Sequence, residues 1–249
     1  AFAPYEKTDF VFEDSGYTAI TEPTAAKTGF AMEAGTDTAN QSEIEYFIVC
    51  PGLRDDEQEE LVMNTLTDLL LDSASPLMVA LKKALPSGQF ACYIDTTAPD
   101  DAIVFEASSV NEDDAGLFKA TVDGALAQIA EQGFADDVVD AVMQQLFLQT
   151  SLISENSDIG VSLIPSIAYS YATSGNPFSY FDYVEALGEL KNWNDQGLYK
   201  AGIEKWLLNS QTTALSTTYP EPGQKEVKDA ALADKLAEIR SEEHTSELQ

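Results

Sequence analysis

The stretch that decides the fold runs from Gln89 to Phe134 and reads QFACYIDTTAPDDAIVFEASSVNEDDAGLFKATVDGALAQIAEQGF. Its first part predicts two strands, QFACYIDTT and DAIVFEASSV, joined by the turn residues APD. Its second part predicts a helix, because acids fill the first turn and Phe118, Val122 and Ile129 recur at helical spacing. Gly133 marks the end of that helix. The pattern therefore predicts paired strands packed against a long amphipathic helix.

The flanking sequence extends this pattern in both directions. Upstream, SEIEYFIVCPG (Ser42–Gly52) alternates as a strand and is followed by a helix that Asp55 could cap, with Gln58 completing a capping box. A short helix then begins at Ser75, with Pro76 at its first position. Downstream, several apolar helical segments precede a last strand, TTALSTTYP. The sequence predicts an α+β fold in which an antiparallel sheet carries a layer of helices on one face.

Four segments are predicted along the chain. Residues 1–41 lead in from a preceding domain or form the first strands. Residues 42–222 form the α+β domain. Residues 223–239 begin a charged helical linker, and residues 240–249 are foreign sequence for the reason given below.

The net charge of the chain limits the kinds of molecule that we expect it to bind. The chain of 249 residues has 43 acids and 13 bases, a net charge of −30. Such a surface repels nucleic acids and anionic membranes, so we expect neither as a partner. It indicates either solubility, as in a salt-adapted proteome, or an acidic surface that attracts basic peptides. No apolar run of about 18 residues and no signal peptide is visible. The sequence leaves the compartment open, and the cytoplasm of a bacterium is the best expectation.

The two cysteines, Cys50 and Cys92, lie in apolar strand-like segments at a spacing that matches no zinc or redox motif. We expect buried free thiols, although a disulfide between neighbouring strands is also compatible with the sequence.

The C-terminal residues RSEEHTSELQ (240–249) contain the only histidine, His244. They resemble the translation of a common short-read sequencing adapter, which implies that they are not native. Residues 1–239 then hold no histidine, which excludes the usual zinc sites and the Ser-His-Asp and Cys-His catalytic groups. The sequence also has no glycine-rich phosphate loop.

Three groups of acidic residues could in principle bind calcium or act in acid/base catalysis, but their sequence context favours a structural role. NEDDAG (Asn111–Gly116) lacks the alternating acids of a calcium loop and fits the acidic start of a helix. The pairs Asp100-Asp101 and Asp136-Asp137 stand where a turn or helix start favours acids. The sequence therefore assigns no catalytic, cofactor-binding or metal-binding residue.

Several segments, in order, resemble the pitrilysin/insulinase-type metallopeptidases. Ser75–Leu77 resembles the family's SPLY..L element, and GFADD (Gly133–Asp137) resembles its GF.DD turn between two helices. GNPFSYFDYVEALGELKN, which begins at Gly175, resembles its GDP...L segment. The resemblance covers about residues 42–239 and is strongest to the second, non-catalytic domain of the presequence-protease subfamily.

This resemblance implies a domain without an active site. The family's zinc motif lies in the first domain and its substrate-orienting Arg and Tyr lie in the fourth, so no catalytic residue is carried over to this chain. It implies one wall of a closed peptide-digesting chamber, with zinc bound elsewhere in the full-length enzyme. The expected partners are the missing first domain, the C-terminal half and peptide substrates, so the chain is expected to be a fragment truncated at both ends. The alternatives are a catalytically dead scaffold subunit of a two-subunit processing peptidase and an unrelated acidic binding module.

Overall fold

Five strands form one sheet in the computed structural model, in the order β1-β5-β2-β4-β3. The structure describes residues 20–154, 158–174, 177–178 and 187–246. The strands are β1 (Thr24–Met32), β2 (Ser42–Cys50), β3 (Gln89–Asp95), β4 (Asp101–Val110) and β5 (Thr213–Pro222). The expected α+β class is confirmed.

Helices occupy most of the remaining described residues. They are α1 (Glu57–Leu71), α2 (Pro76–Ala84), α3 (Ala115–Gln132), α4 (Asp136–Ser154), α5 (Ile159–Ser174), α6 (Leu190–Asp195), α7 (Leu198–Gly202) and α8 (Gln224–Ser246). α7 runs directly into a π-helical turn, Ile203–Leu208. Of the segment that begins at Gly175 and resembles the GDP...L element, residues 175–176 and 179–186 lie outside the described residues. None of the helices within the described ranges combines the length and apolarity needed to cross a bilayer.

The sheet is mixed, which corrects the expectation of a purely antiparallel one. β2 pairs antiparallel with β4 and β5, and β3 pairs antiparallel with β4, but β1 runs parallel to β5. β1 comes from the segment before residue 42, so that segment contributes an edge strand. The β1–β5 pairing joins residues far apart in sequence, and local alternation carries no information about its direction.

The helices cover one face of this sheet. Ile44, Tyr46 and Ile48 point from β2 into a buried cluster that also contains Leu66 of α1 and Phe118 of α3. Phe118, Val122 and Ile129 of α3 are all fully buried. The helical spacing of apolar residues that the sequence shows in α3 therefore correctly predicts its buried side. Burial of this apolar surface is the main contribution to the stability of the domain.

Two helix starts show how local sequence fixes the helical layer. Ser75 caps α2: its hydroxyl accepts from Met78 N at 3.1 Å and donates to the Leu70 carbonyl at 2.7 Å. The cap of α1 is Asp56, whose carboxylate accepts from Glu59 N at 3.1 Å. The predicted cap Asp55 was wrong by one residue, because Asp55 completes a 3-10 turn before the helix.

The last helix is exposed from Gln224 to Ala237. α8 begins after β5 and touches the sheet near β1, where Glu226 accepts from Ala34 N at 2.9 Å. It runs through to Ser246 and so crosses the predicted boundary at Arg240. A helical backbone gives no information on the origin of residues 240–249, and their assignment as foreign sequence stays a prediction.

Candidate functional site

The acidic pair Asp100-Asp101 does not face a common site. Asp101 is buried at the start of β4, where its Oδ1 accepts from Arg54 Nε at 3.1 Å, whereas Asp100 lies half-buried in the turn before the strand. Asp101 Oδ2 is buried without a hydrogen-bond partner in the described structure. Burial, and then the charge of Asp101, raise the pKa of the Glu60 carboxyl nearby, while Arg54 lowers it. This group joins β4 to the turn before α1 and presents no pair of carboxylates to a substrate.

The other two groups of acidic residues considered in the sequence analysis lie at the starts of helices, as expected. Asn111 N donates to Asp114 Oδ2 at 2.8 Å, so the NEDDAG segment forms a 3-10 turn with a capping box ahead of α3. Asp136 and Asp137 are exposed in the first turn of α4, where carboxylates interact favourably with the helix dipole.

The thiols are separate and buried. Cys50 ends β2 and Cys92 lies within β3, and both are free. Burial raises the pKa of the Cys50 thiol to about 12 and that of the Cys92 thiol further still. The buried free thiols expected from the sequence are confirmed.

No group of three or more His, Cys, Asp or Glu residues with metal-binding geometry occurs in the described ranges. The one histidine of the whole sequence, His244, cannot supply the two imidazoles of an inverted zinc motif, H-x-x-E-H.

A groove of about 240 Å³ lies between the start of α1 and the π-helical turn. Its polar wall is already paired: Glu59 accepts from Trp206 Nε1 at 2.9 Å and from Lys205 Nζ at 2.8 Å. Lys205 Nζ also lies 4.3 Å from the centre of the Trp206 ring. These contacts tie α1 to the π-helical turn and pair the charges of Glu59 and Lys205 with each other.

The face of the sheet opposite the helices is the strongest candidate for a binding surface, and we call it the open face. Its central row crosses all five strands and carries two carboxylates between small side chains. In strand order that row is Ala26, Ser216, Glu45, Glu106 and Ala91. The next row, Thr24, Ala214, Phe47, Val104 and Tyr93, is largely apolar.

The open face is not part of the helix-packed core. Val104 is buried but does not belong to the cluster that the helices form. Tyr93 is 39% exposed, Glu43 is exposed, and Glu45 and Glu106 are half-buried. Within the described structure, none of the three glutamates forms an ion pair.

Repulsion between carboxylates on this face lowers the stability of the domain. Glu45 and Glu106 are register partners on β2 and β4, and like charges opposite each other destabilise a sheet. Partial burial, and then the charge of Glu43, raise the pKa of both carboxyls. Partial burial and the surrounding carboxylates, Glu45 first among them, also raise the pKa of the Tyr93 hydroxyl. The open face thus concentrates negative charge around an exposed aromatic ring.

Sequence reasoning did not identify this surface. The signal was present in SEIEY, where Glu43 and Glu45 alternate with Ile44 and Tyr46 and so had to face away from the core. Glu106 and Tyr93 join them only through the register of three strands, which the sequence does not display.

Sequence comparison finds relatives among known peptidases. The chain is 26% identical over 208 residues to a presequence protease of chloroplasts and mitochondria from Arabidopsis thaliana, covering 78% of this chain and 19% of that protein. It is 24% identical over 197 residues to a mitochondrial presequence protease from Aspergillus fumigatus, covering 78% and 18%. The chain therefore spans about a fifth of the length of these relatives. No family model matches the sequence.

Solved structures show the same fold. A protease from Helicobacter pylori superposes with a TM-score of 0.59 at 14% identity, over 88% of this chain and 50% of that one. The inactive peptidase domain of a zinc protease from Bordetella parapertussis gives 0.58 at 13% identity, over 76% and 95%. An M16-like peptidase from Alicyclobacillus acidocaldarius gives 0.56 at 11%, over 80% and 44%.

The chain has the fold of the M16-like peptidases and of an inactive peptidase domain from a zinc protease. Within that class, the sequence matches given above are to presequence proteases.

Proposed function

We propose that this chain is a non-catalytic domain of a larger zinc peptidase and that it contributes a wall and interdomain contacts to a peptide-digesting chamber. The observation that carries the proposal is the combination of a pitrilysin-type fold with a sequence that cannot form the family's zinc motif. The Bordetella inactive peptidase domain, which has the same fold, provides a precedent for such a domain.

The surface of α5 supports the proposal that this domain belongs to a longer polypeptide. Residues 159–181 carry no charged side chain, although 22% of the whole sequence is charged. Val161, Ile164 and Tyr171, at helical spacing on α5, are 71%, 61% and 65% exposed. Depletion of charge with exposed aliphatic and aromatic residues is typical of the centre of a protein interface. We assign this face of α5 to contact with a neighbouring domain.

A scaffold subunit of a two-subunit peptidase is the second candidate. It is favoured by the Bordetella parapertussis structure, an inactive peptidase domain that aligns with this chain over 95% of its own length. The two candidates differ in whether the catalytic domain belongs to the same gene.

A peptidase assay tests the non-catalytic assignment. The purified chain, supplied with zinc and an unstructured basic peptide, should release no fragments, because it cannot form a metal-bound water with a general base beside it. Dialysed protein should retain less than stoichiometric zinc by elemental analysis. The control is His244→Ala, which removes the one imidazole. Hydrolysis that a chelator abolishes and that co-elutes with the chain through two columns would overturn the assignment.

A further inference from the structure

The carboxylate of Asp101, at the start of β4, is fully buried, but only one of its two oxygens has hydrogen-bond donors. Arg54 directs both Nε, at 3.1 Å, and Nη2 to Oδ1. Oδ2 has no donor among the groups that the structure describes. A buried carboxylate oxygen without a donor destabilises the folded chain, because it has lost its contact with water and gained no hydrogen bond in return. A further donor at Oδ2 would therefore stabilise this part of the fold.

Arg54 holds Asp101 in position and neutralises its charge. Nη2 of Arg54 also donates to the carbonyl of Ala98 at 2.9 Å and to that of Thr96 at 3.5 Å, both in the turn between β3 and β4. These bonds attach the 3-10 turn Leu53–Asp55, and with it the start of α1, to β4 and the turn before it. In this arrangement Arg54 serves Oδ1 and leaves Oδ2 to another donor.

Cys50 is the register partner of Asp101 on β2, but its thiol is directed elsewhere. Burial raises the pKa of the thiol to about 12, so it keeps its proton and points it at the backbone carbonyls of Ile48, at 3.4 Å, and Trp206, at 3.8 Å. A metal ion is also disfavoured as the partner of Oδ2, since the described part of the chain brings no three His, Cys, Asp or Glu residues into metal-binding geometry.

Glu60, in the first turn of α1, is the remaining acid beside this site. It is half-buried and forms no ion pair within the described residues. Burial, and then the charge of Asp101, raise the pKa of its carboxyl, while Arg54 lowers it and Glu57 raises it further. A protonated carboxyl is a hydrogen-bond donor, so Glu60 with a proton has the group that Oδ2 lacks.

We propose that Glu60 and Asp101 together bind one proton, which makes the Glu60 carboxyl the donor to Asp101 Oδ2 and fastens the start of α1 to β4. We call this contact the proton lock. Loss of the proton removes the donor and leaves two carboxylates beside a single guanidinium, which loosens the junction. The proton lock lies within one domain, so it does not depend on the proposed function.

The proton lock acts on one of two attachments of α1. Glu59, in the same turn, accepts from Lys205 and Trp206 on the other side, and those contacts do not involve Asp101. Because its pKa is raised, Glu60 binds a proton more tightly in the folded than in the unfolded chain. Its stabilising contribution is fully present below the ordinary glutamate pKa of about 4.3 and is lost as the pH rises through the folded-state pKa. The junction is therefore firmer in mildly acidic solution than at pH 8.

NMR titration of the full chain locates the proton. The chain is labelled with carbon-13 at the glutamate carboxyls, and the resonance missing from Glu60→Gln is that of Glu60. Its titration midpoint should lie above that of the glutamates in the urea-unfolded chain, because burial and Asp101 favour the protonated form. Asp101→Asn should lower the midpoint, because it removes the neighbouring negative charge and leaves that of Arg54.

Urea unfolding provides a second test, because Asp101→Asn leaves Arg54 unpaired and risks loss of the fold. The amide of Glu60→Gln can donate to Oδ2 at every pH. This variant should have a higher urea midpoint than wild type at pH 8, and the two midpoints should converge as the pH is lowered to 5. Glu57→Gln removes one charge from the same turn of α1 at an exposed position, so it is the matched control. It should keep the pH dependence of wild type.

Equal pH dependence of stability in Glu60→Gln and Glu57→Gln would overturn the proposal, since Oδ2 would then take its donor from solvent. A Glu60 midpoint that is no higher than in the unfolded chain, or that a folded Asp101→Asn leaves unchanged, would overturn it as well. None of these measurements involves peptide cleavage or zinc, so failure here is distinguishable from failure of the proposed function.

Discussion

Glu45 and Glu106 stand directly opposite each other on β2 and β4, on the face of the sheet that the helices leave open. Partial burial, followed by the charge of Glu43, raises the pKa of both carboxyls. A carboxyl with a higher pKa in the folded than in the unfolded chain holds its proton more tightly when folded. The folded state then gains stability as the pH falls from neutral through that pKa.

We therefore expect the free energy of unfolding to rise as the pH is lowered from about 7 to about 5. In Glu45→Gln/Glu106→Gln the rise should be smaller, because two of the glutamates responsible are gone while Glu60 remains. Urea unfolding at each pH measures the free energy of unfolding of both proteins. Asp136→Asn/Asp137→Asn is the control for the change in net charge and should keep the full rise. Identical pH dependence in both variants would contradict the repulsion assigned to the open face.

Ser75 links the end of α1 to the start of α2, and its removal should be costly. Its fully buried hydroxyl makes hydrogen bonds with Met78 N and the Leu70 carbonyl. Ser75→Ala should destabilise the chain by about 1–3 kcal/mol, since a cap is lost and a carbonyl loses its donor. Urea unfolding should show this loss. The exposed neighbour Ser73 provides the matched control, because Ser73→Ala should change stability by less than about 0.5 kcal/mol. A neutral Ser75→Ala would mean that this junction is not formed as described.

Cys50 and Cys92 should be inert in the folded chain. Burial raises the pKa of the Cys50 thiol to about 12, and that of Cys92 is also raised, so almost no thiolate exists near pH 8. A colorimetric disulfide reagent should modify both thiols at least about a hundredfold more slowly in buffer than in concentrated urea. Rapid modification of either thiol without denaturant would show that its strand is not packed as described.

Residues 240–249 should contribute nothing to the domain if they are foreign sequence. Deletion of Ser241–Gln249 should leave the melting temperature unchanged within error, as followed by circular dichroism. The comparison is a deletion of the same length within α8, from Ala230 to Glu238, which separates loss of helix from loss of these particular residues. A fall of several degrees on deleting Ser241–Gln249 would assign them a structural role.

Local features of this fold were predictable, and long-range ones were not. The Ser75-Pro76 start of α2 and the buried stripe of α3 follow from interactions within a few residues, and both are present. The cap of α1 was misplaced from Asp56 to Asp55 because consecutive aspartates have the same capping chemistry. The parallel β1–β5 pair depends on tertiary packing and leaves no local signature. The π-helical turn at Ile203–Leu208 likewise has no marker in the sequence.

The candidate surface shows the same division. The alternation in SEIEY places Glu43 and Glu45 on the same side of β2, and this can be predicted from the sequence. That Glu106 lies opposite Glu45, and Tyr93 one row away, depends on how three strands align. The acidic composition was compatible both with solubility and with attraction of basic peptides, and it did not indicate where on the fold the acids would meet.

The most direct test of a non-catalytic domain within a longer zinc peptidase is to sequence the gene from its source DNA with reads that span it. The proposed function predicts an open reading frame that continues upstream into an inverted zinc motif, H-x-x-E-H, and that continues past residue 239 into a linker unrelated to RSEEHTSELQ. A gene that encodes this chain between its own start and stop codons, with no such motif in the frame, would contradict it.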